Sequence, residues 1–246
     1  MKNILITAGG TSEPIDQIRA ITNKSTGRLG CAIAKAFRSK EDTGRVIYIY
    51  GKGAVLPEDP GIELIPVRST QDVMDAMEKV ISENRIDIII HSMAISDYTT
   101  ASFTTLEEML SLLAYKKCET VEEVAELLEK EDMRKRYNKL PSSIDKPMIM
   151  LKRTPKVLSH LRDMAPDAAI VGFKLLDDVT HEELMSVASD QIEKNRTDFC
   201  LANDYVTVTS PVHVGFLLDS KGREIRFDGK EAIAEGIARI LLEYTR

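Results

Sequence analysis

Cysteine is scarce in this sequence. The three copies among 246 residues, Cys31, Cys118 and Cys200, are odd in number and far apart. They fit neither a disulfide framework nor a CxxC metal or redox pair, so the expected setting is a reducing one. The four histidines, His91, His160, His181 and His213, show no HxxxH or HxH spacing, and none neighbours a cysteine. A zinc site is therefore not expected. Also missing is any run near the ~20 consecutive apolar residues that a membrane span needs. The opening MKNILITAGG enters a strand-like run at once, without signal-peptide grammar. The expectation is a cytoplasmic protein.

Excess positive charge is lacking as well. Thirty-three Lys and Arg stand against 39 Asp and Glu, a net charge of −6. That balance argues against nucleic acid or an anionic membrane as partner, because a basic footprint normally dominates such surfaces. A small anion remains allowed, since salt screens exposed charge beyond about 8 Å and a local basic cluster can prevail over distant acids. Residues 134 to 156 form one: Arg134, Lys135, Arg136, Lys139, Lys146, Lys152, Arg153 and Lys156 face Asp145 alone. Residues 107 to 132 just before it carry nine acids and three lysines. Two solvated faces that pair with each other and an anion site are both open readings of this contrast.

What is present is an ordinary globular composition, 43% hydrophobic and 29% charged. A chain of this length buries about 70–75% of its unfolded surface. Strand candidates are Asn3 to Ala8, Arg45 to Tyr50, Ile62 to Val67, Ile86 to His91, Met148 to Leu151, Ala168 to Phe173 and Asp198 to Ala202. Helical spacing begins near Thr26, where Leu29, Ala32, Ile33, Ala36 and Phe37 share a face, and recurs near 70–83, 155–163, 180–194 and 230–244. Apolar strands alternating with amphipathic helices predict an α/β fold, a doubly wound, mostly parallel Rossmann-like sheet with helices on both faces. Residues 205–218 and 223–228 read as a C-terminal hairpin turning at Asp219-Ser220-Lys221-Gly222. Two charged helix-like stretches, Leu106 to Tyr115 and Val121 to Tyr137, break the rhythm and predict a helical insertion or flap at about 102–147. No repeat or linker separates a second domain, so residues 1–246 are expected to form one. Doubly wound sheets bind ligands beyond the carboxyl ends of their strands. The loops to inspect are therefore 9–27, 91–98, 172–178 and 202–205.

The first of these is the most informative. Gly9-Gly10-Thr11 lets backbone approach a ligand, while Ser25, Thr26 and Gly27 offer hydroxyl and N–H donors at a helix start. Lys24 and Arg28 add positive charge, and Asn23 adds a neutral amide that can donate and accept. A phosphate or a developing oxyanion suits such a place. The joint string GGTSEPID, IR, ITN, STG and LG across residues 9–30 closely resembles the signature of the phosphopantothenoylcysteine synthetase family. Further segments agree: His91 to Tyr98, Lys139-Leu140-Pro141-Ser142, Leu151 to Lys156, Val171 to Leu175 and Ala202-Asn203-Asp204. The insertion at 102–138 is longer than in the family's bifunctional proteins. The expectation is the monofunctional, stand-alone type, without a flavin-dependent decarboxylase segment in front.

The resemblance implies a ligase that activates 4′-phosphopantothenate with a nucleoside triphosphate and passes the acyl-nucleotide to the amine of L-cysteine, in coenzyme A biosynthesis. CTP is the expected cosubstrate, with ATP as the alternative, together with Mg²⁺ and a homodimeric assembly. Asn23 and Lys139 are the implied catalytic residues, and Asn23, Arg28 and Ala94 the implied substrate contacts. Gly9, Gly10, Thr11, Ser25, Thr26, Gly27, Asp97, Lys156, Phe173, Lys174, Asn203 and Asp204 are implied for nucleotide and phosphate, with Asp97 also a candidate for metal. Joining two anions demands such cations, and Lys139, Lys156 and Lys174 are the candidates. Two other readings stand beside it, a short-chain NAD(P)-dependent oxidoreductase and a nonenzymatic nucleotide sensor. The first lacks GxGxxG, since Thr11, Ser12, Pro14 and Ile15 occupy the required places, and its Tyr-x-x-x-Lys match, Tyr48 and Lys52, falls on a strand end.

Overall fold

Alternation through β1 (Lys2–Ala8) explains the whole layer structure. Ile4, Ile6 and Ala8 enter one buried cluster and Leu5 a second, as successive side chains on a pleated strand must. With both faces apolar, both need helices. α1 (Arg28–Arg38) and α8 (Lys230–Tyr244) close the first face through Ile33, Phe37, Ile233, Ile237 and Leu241. The second is closed by α2 (Thr70–Glu83) and α5 (Val157–Met164) through Val73, Met77, Val157 and Leu161. A third cluster seats α6 (His181–Asn195) by Leu184, Ala188 and Ile192. This computed structural model describes residues 1–116, 120–130, 138–208 and 213–245.

The chain divides into two compact units. The first comprises Met1–Thr11, Asn23–Ile95 and Lys156–Arg246. It holds an eight-stranded sheet in the order β12-β11-β10-β9-β6-β1-β4-β5. Besides β1 these are β4 (Thr43–Gly51), β5 (Ile62–Val67), β6 (Ile88–His91), β9 (Ala169–Leu176), β10 (Phe199–Asp204), β11 (Val214–Asp219) and β12 (Glu224–Asp228). The six from β5 to β10 are parallel, β11 runs antiparallel to β10, and β12 runs antiparallel to β11. The chain moves outward from β1 to β4 and β5, then returns to β6 on the other side of β1. Strand order reverses between β1 and β6, and the carboxyl ends of these two strands mark the crevice where such sheets take ligands.

The second unit comprises Ser12–Thr22 and Ser96–Pro155. The expected flap at about 102–147 lies within it, but the unit begins earlier and recruits a distant segment. Two small antiparallel ladders build it: β2 (Ser12–Pro14) with β3 (Ala20–Thr22), and β7 (Tyr98–Thr105) with β8 (Pro147–Arg153). Its own core is small, Phe103 and Leu140 with Ile144 against them. The helices α3 (Leu106–Lys116) and α4 (Val121–Lys130) follow β7.

Two expectations change here. The Met148–Leu151 strand is not in the parallel sheet. As part of β8 it pairs only with β7 and stays largely exposed, because the flanking Lys152 and Arg153 suit a two-stranded ribbon and not a buried centre. Residues 102–105 of the expected insertion belong to β7, with Thr99, Thr100, Thr104 and Thr105 as its β-branched residues, and α3 begins at Leu106 as its spacing predicts. Residues 205–208 open the C-terminal segment as a helical turn, α7 (Tyr205–Val208), and the hairpin strand starts only at Val214. Cys118, Arg134 to Arg136 and the end of the Val121–Tyr137 stretch lie outside the described residues. Among the described residues no helix is long and apolar enough to cross a membrane.

His91 ends β6 fully inside the protein, with Nδ1 2.8 Å from Thr7 Oγ1. Burial drives its pKa down to about 4. The unfolded chain therefore binds a proton that the folded one refuses between about pH 6.5 and pH 4. Stability is full above pH 6.5 and is lost as pH falls through that window, by about 3 kcal/mol. Urea unfolding of the protein and of His91→Gln at pH 7.5 and pH 4.5 checks this. The variant should lose less stability on acidification, and parallel losses would refute the assignment.

Candidate functional site

The crevice between β1 and β6 is lined by backbone because its residues are small. Beyond the strand ends, Gly10 forms a parallel bridge with Ala94, Ala94 N donates to Gly9 O at 2.9 Å, and Thr11 N donates to Ala94 O at 3.1 Å. Gly9 has φ 84, a left-handed conformation that side chains resist. At Gly10 the constraint is space, since a Cβ there would overlap the backbone carbonyl of Asn23. Gly10→Ala is accordingly expected to cost about 1–3 kcal/mol, the usual scale of overpacking, and to lower activity with it. Thermal unfolding beside turnover measures both, and an unchanged melting temperature would contradict the packing.

Asn23 is held from three directions. Its N–H donates to Thr11 O at 3.3 Å, its carbonyl packs on Gly10, and its Nδ2 donates to Ala94 O at 3.3 Å. Ala94 O can only accept, so the amide must turn its NH₂ toward it, which fixes the side chain's sense. One amide hydrogen is thereby engaged and one is left. Asn23 O in turn accepts from Ser25 N at 3.1 Å.

This turn delivers the chain to α1. The helix starts at Arg28, two residues later than its spacing suggested, because Gly27 at φ 66 is the N-cap and Ser25 and Thr26 precede it. No side chain caps this terminus and no acid lies in its first turn. α2, by contrast, has a reciprocal Ser69–Asp72 capping box. The α1 end therefore keeps N–H groups and the positive end of its dipole, worth about 0.3–1 kcal/mol for an exposed anion. Gly27 packs on Gly9, and Lys24, Thr26 and Arg28 are exposed around it. Gly9, Gly10, Thr11, Asn23, Ser25, Thr26, Gly27, Arg28 and Ala94 thus form one neighbourhood.

A second group lies along the ends of β9 and β10. Phe173 is opposite Leu201, Lys174 opposite Ala202, and Asn203 opposite Leu175. Asn203 is buried, with Oδ1 2.9 Å from His213 Nε2. Burial, helped by Lys230, keeps the His213 pKa down, so a neutral ring carrying its proton on Nε2 can donate to that oxygen. Asp204 is committed to the loop. Its carboxylate accepts the N–H groups of Val206 at 2.9 Å, Asp178 at 3.2 Å and Val179 at 3.3 Å, and these donors lower its pKa against a smaller desolvation effect. Lys156 is exposed at the N-cap of α5.

Asp97 and Lys139 belong to the second unit. Asp97 is exposed, and its carbonyl accepts from Thr154 N at 3.0 Å. Lys139 is exposed beside the buried Leu140. Sequence reasoning missed His213, which showed no ligand spacing, and missed the use of Asp16 and Arg19, whose only signal was their place in the string. Among the described residues no three His, Cys, Asp or Glu side chains converge as a metal needs. Tyr48 is fully buried in β4, with its hydroxyl donating to Val55 O at 3.1 Å, so it cannot serve as a catalytic tyrosine.

Comparison with known proteins bears on the fold and the family. The profile of the DFP family, the DNA/pantothenate metabolism flavoprotein C-terminal domain, matches residues 1–109. The coenzyme A biosynthesis bifunctional protein CoaBC of Thermococcus kodakarensis is 30% identical over 207 residues, covering 82% of this chain and 41% of the relative. That of Methanocaldococcus jannaschii is 30% identical over 201 residues, covering 82% and 40%. The chain thus spans about two fifths of the curated relatives it matches. The crystal structure of the DNA/pantothenate metabolism flavoprotein from Streptococcus pneumoniae superposes with a TM-score of 0.84 at 32% identity, over 99% of this chain and 100% of that one. The chain belongs to the DNA/pantothenate metabolism flavoprotein C-terminal domain family, which corresponds to the phosphopantothenoylcysteine synthetase region of the bifunctional coenzyme A biosynthesis proteins.

Proposed function

We propose that this protein joins 4′-phosphopantothenate to L-cysteine through an acyl-nucleotide, releasing pyrophosphate, with CTP as the nucleotide. The observation that carries the reading is Asn23, fixed by the Ala94 carbonyl at the strand-order reversal and four residues before the glycine that opens α1. In the first step the substrate carboxylate attacks the α-phosphorus. The nucleotide's phosphates lie against the Gly9-Gly10-Thr11 backbone and on the Ser25 hydroxyl and the amides of Thr26 and Gly27, and Lys139, Lys156 and Lys174 lessen the anion repulsion. In the second step the cysteine amine attacks the mixed anhydride, and the remaining N–H of Asn23 donates to the carbonyl oxygen as charge builds on it. Arg28 and Ala94 contact the acyl substrate. Phe173 and Asn203, with backbone beside Asp204, read the base. The donor set fits a Mg²⁺ that arrives on the triphosphate, with Asp97 as its one carboxylate candidate, better than a resident ion.

Pyrophosphate release followed in parallel with CTP and ATP, each with phosphopantothenate and cysteine, tests the proposal. Release that requires phosphopantothenate and is faster with CTP supports it. Faster release with ATP corrects the nucleotide. Tight NADPH binding without pyrophosphate release would favour an oxidoreductase, and nucleotide binding without turnover a sensor.

A further inference from the structure

The turn between β2 and β3 contains a carboxylate that the proposed chemistry does not use. Asp16 has a side chain only 1% exposed. Its Oδ1 accepts from the N–H groups of Ile18 at 2.8 Å and Arg19 at 2.7 Å, which closes the turn on itself. Its Oδ2 does something the turn does not need. It accepts from Arg19 Nε at 3.0 Å and from Leu140 N, more than a hundred residues away in sequence, at 3.0 Å. The Arg19 guanidinium so held donates through Nη2 to Leu140 O, and Gln17 N donates to Asn138 O at 3.2 Å.

These bonds bracket one residue. The Asn138 carbonyl belongs to the peptide group before Lys139 and the Leu140 N–H to the peptide group after it, so both planes flanking Lys139 are tied to the same turn. Leu140 is further sunk beside Phe103. Apolar contact would be enough to keep Leu140 in place, and a buried carboxylate is a costly way to add stability. What the hydrogen bonds add is direction: they fix the Cα–Cβ vector of Lys139, whose long exposed side chain otherwise sweeps a wide volume. Although burial alone would raise it, the pKa of Asp16 is held well below the usual carboxylate value by the amides of Leu140, Arg19 and Ile18 and by the Arg19 guanidinium. The clamp is therefore ionised at neutral pH.

We propose that Asp16, acting with Arg19, is a positioning residue that fixes the backbone at Lys139 and so aims its ammonium group in the ligase reaction. The inference rests on the catalytic assignment of Lys139 made above. Misplacing a catalytic group by about 1 Å can cost 10²-fold in rate. Asp16→Asn and Arg19→Lys should each lower kcat by about 10- to 100-fold, with a smaller change in the KM for nucleotide. Each should also speed tryptic cleavage after Lys139 in the full chain. The decisive arm is a double-variant cycle. In a Lys139→Gln background, Asp16→Asn should cost less than about threefold more, because the clamp then has nothing to aim. Losses that multiply, or a normal kcat in Asp16→Asn despite faster cleavage, overturn the positioning role while leaving Lys139 catalytic. Near-normal turnover of Lys139→Gln alone instead removes the assignment beneath it, and the inference falls with it. If Asp16→Asn does not fold, Arg19→Lys, which keeps the charge and loses the guanidinium fork, carries the same cycle.

Discussion

Asn23→Asp should collapse product formation by about 10²–10³-fold while CTP binding stays within a few-fold of normal. The size follows from what the amide does in the proposed second step. A preorganised neutral donor stabilises an oxyanion that exists only as the amine attacks, so its loss appears in turnover and not in ground-state binding. A carboxylate goes further than removing the donor, because it sets like charge against the forming oxyanion. The structure adds a second consequence. Nδ2 of Asn23 donates to Ala94 O at 3.3 Å, and an aspartate would face that carbonyl with oxygen. About 1–3 kcal/mol of local stability should go with it. Calorimetric CTP titration, product assay and thermal unfolding on one preparation separate the effects. Near-normal turnover would defeat the role given to Asn23, and lost CTP binding would make the residue a nucleotide contact instead.

Lys139→Gln should have the other large effect, slowing pyrophosphate release by roughly 10²-fold with little change in melting temperature. Two anions meet in the first step, and neutralising a side chain that counters their repulsion affects the rate directly. Stability should barely move, because Lys139 is exposed and the hydrogen bonds around it run through its neighbours' backbone, which glutamine retains. Single-turnover pyrophosphate release alongside thermal unfolding provides the check. Matched losses of activity and melting temperature would make the lysine structural.

The two variants also differ in how far their residues could be read in advance. Asn23 was legible as a candidate, since it is a neutral amide among small residues between a strand and a helix. The exact helix start was not, because Ser25 and Thr26 are better capping types than glycine, and only the positive φ of Gly27 and its packing on Gly9 show that glycine takes the position. Asp204 shows the reverse. Its type suited both a ligand and a turn, and three backbone donors engage its carboxylate within the loop. β7 was hidden because its threonines lie next to a strongly helical acidic stretch, and strand preference depends on a partner that sequence does not display. That partner, β8, is more than forty residues away in the chain.

By itself, the sequence determined the doubly wound sheet, the terminal hairpin turn and the string of small and cationic residues that names the family. Each of these is written in local periodicity or in contiguous residues, where backbone geometry acts over a few positions. Only the tertiary structure decided that Ala94 orients Asn23, that His213 backs Asn203, and that a buried Asp16 holds the peptides around Lys139. Those are hydrogen bonds between residues ten to more than a hundred positions apart. Their energy depends on separations of about 3 Å that no spacing rule along the chain can specify.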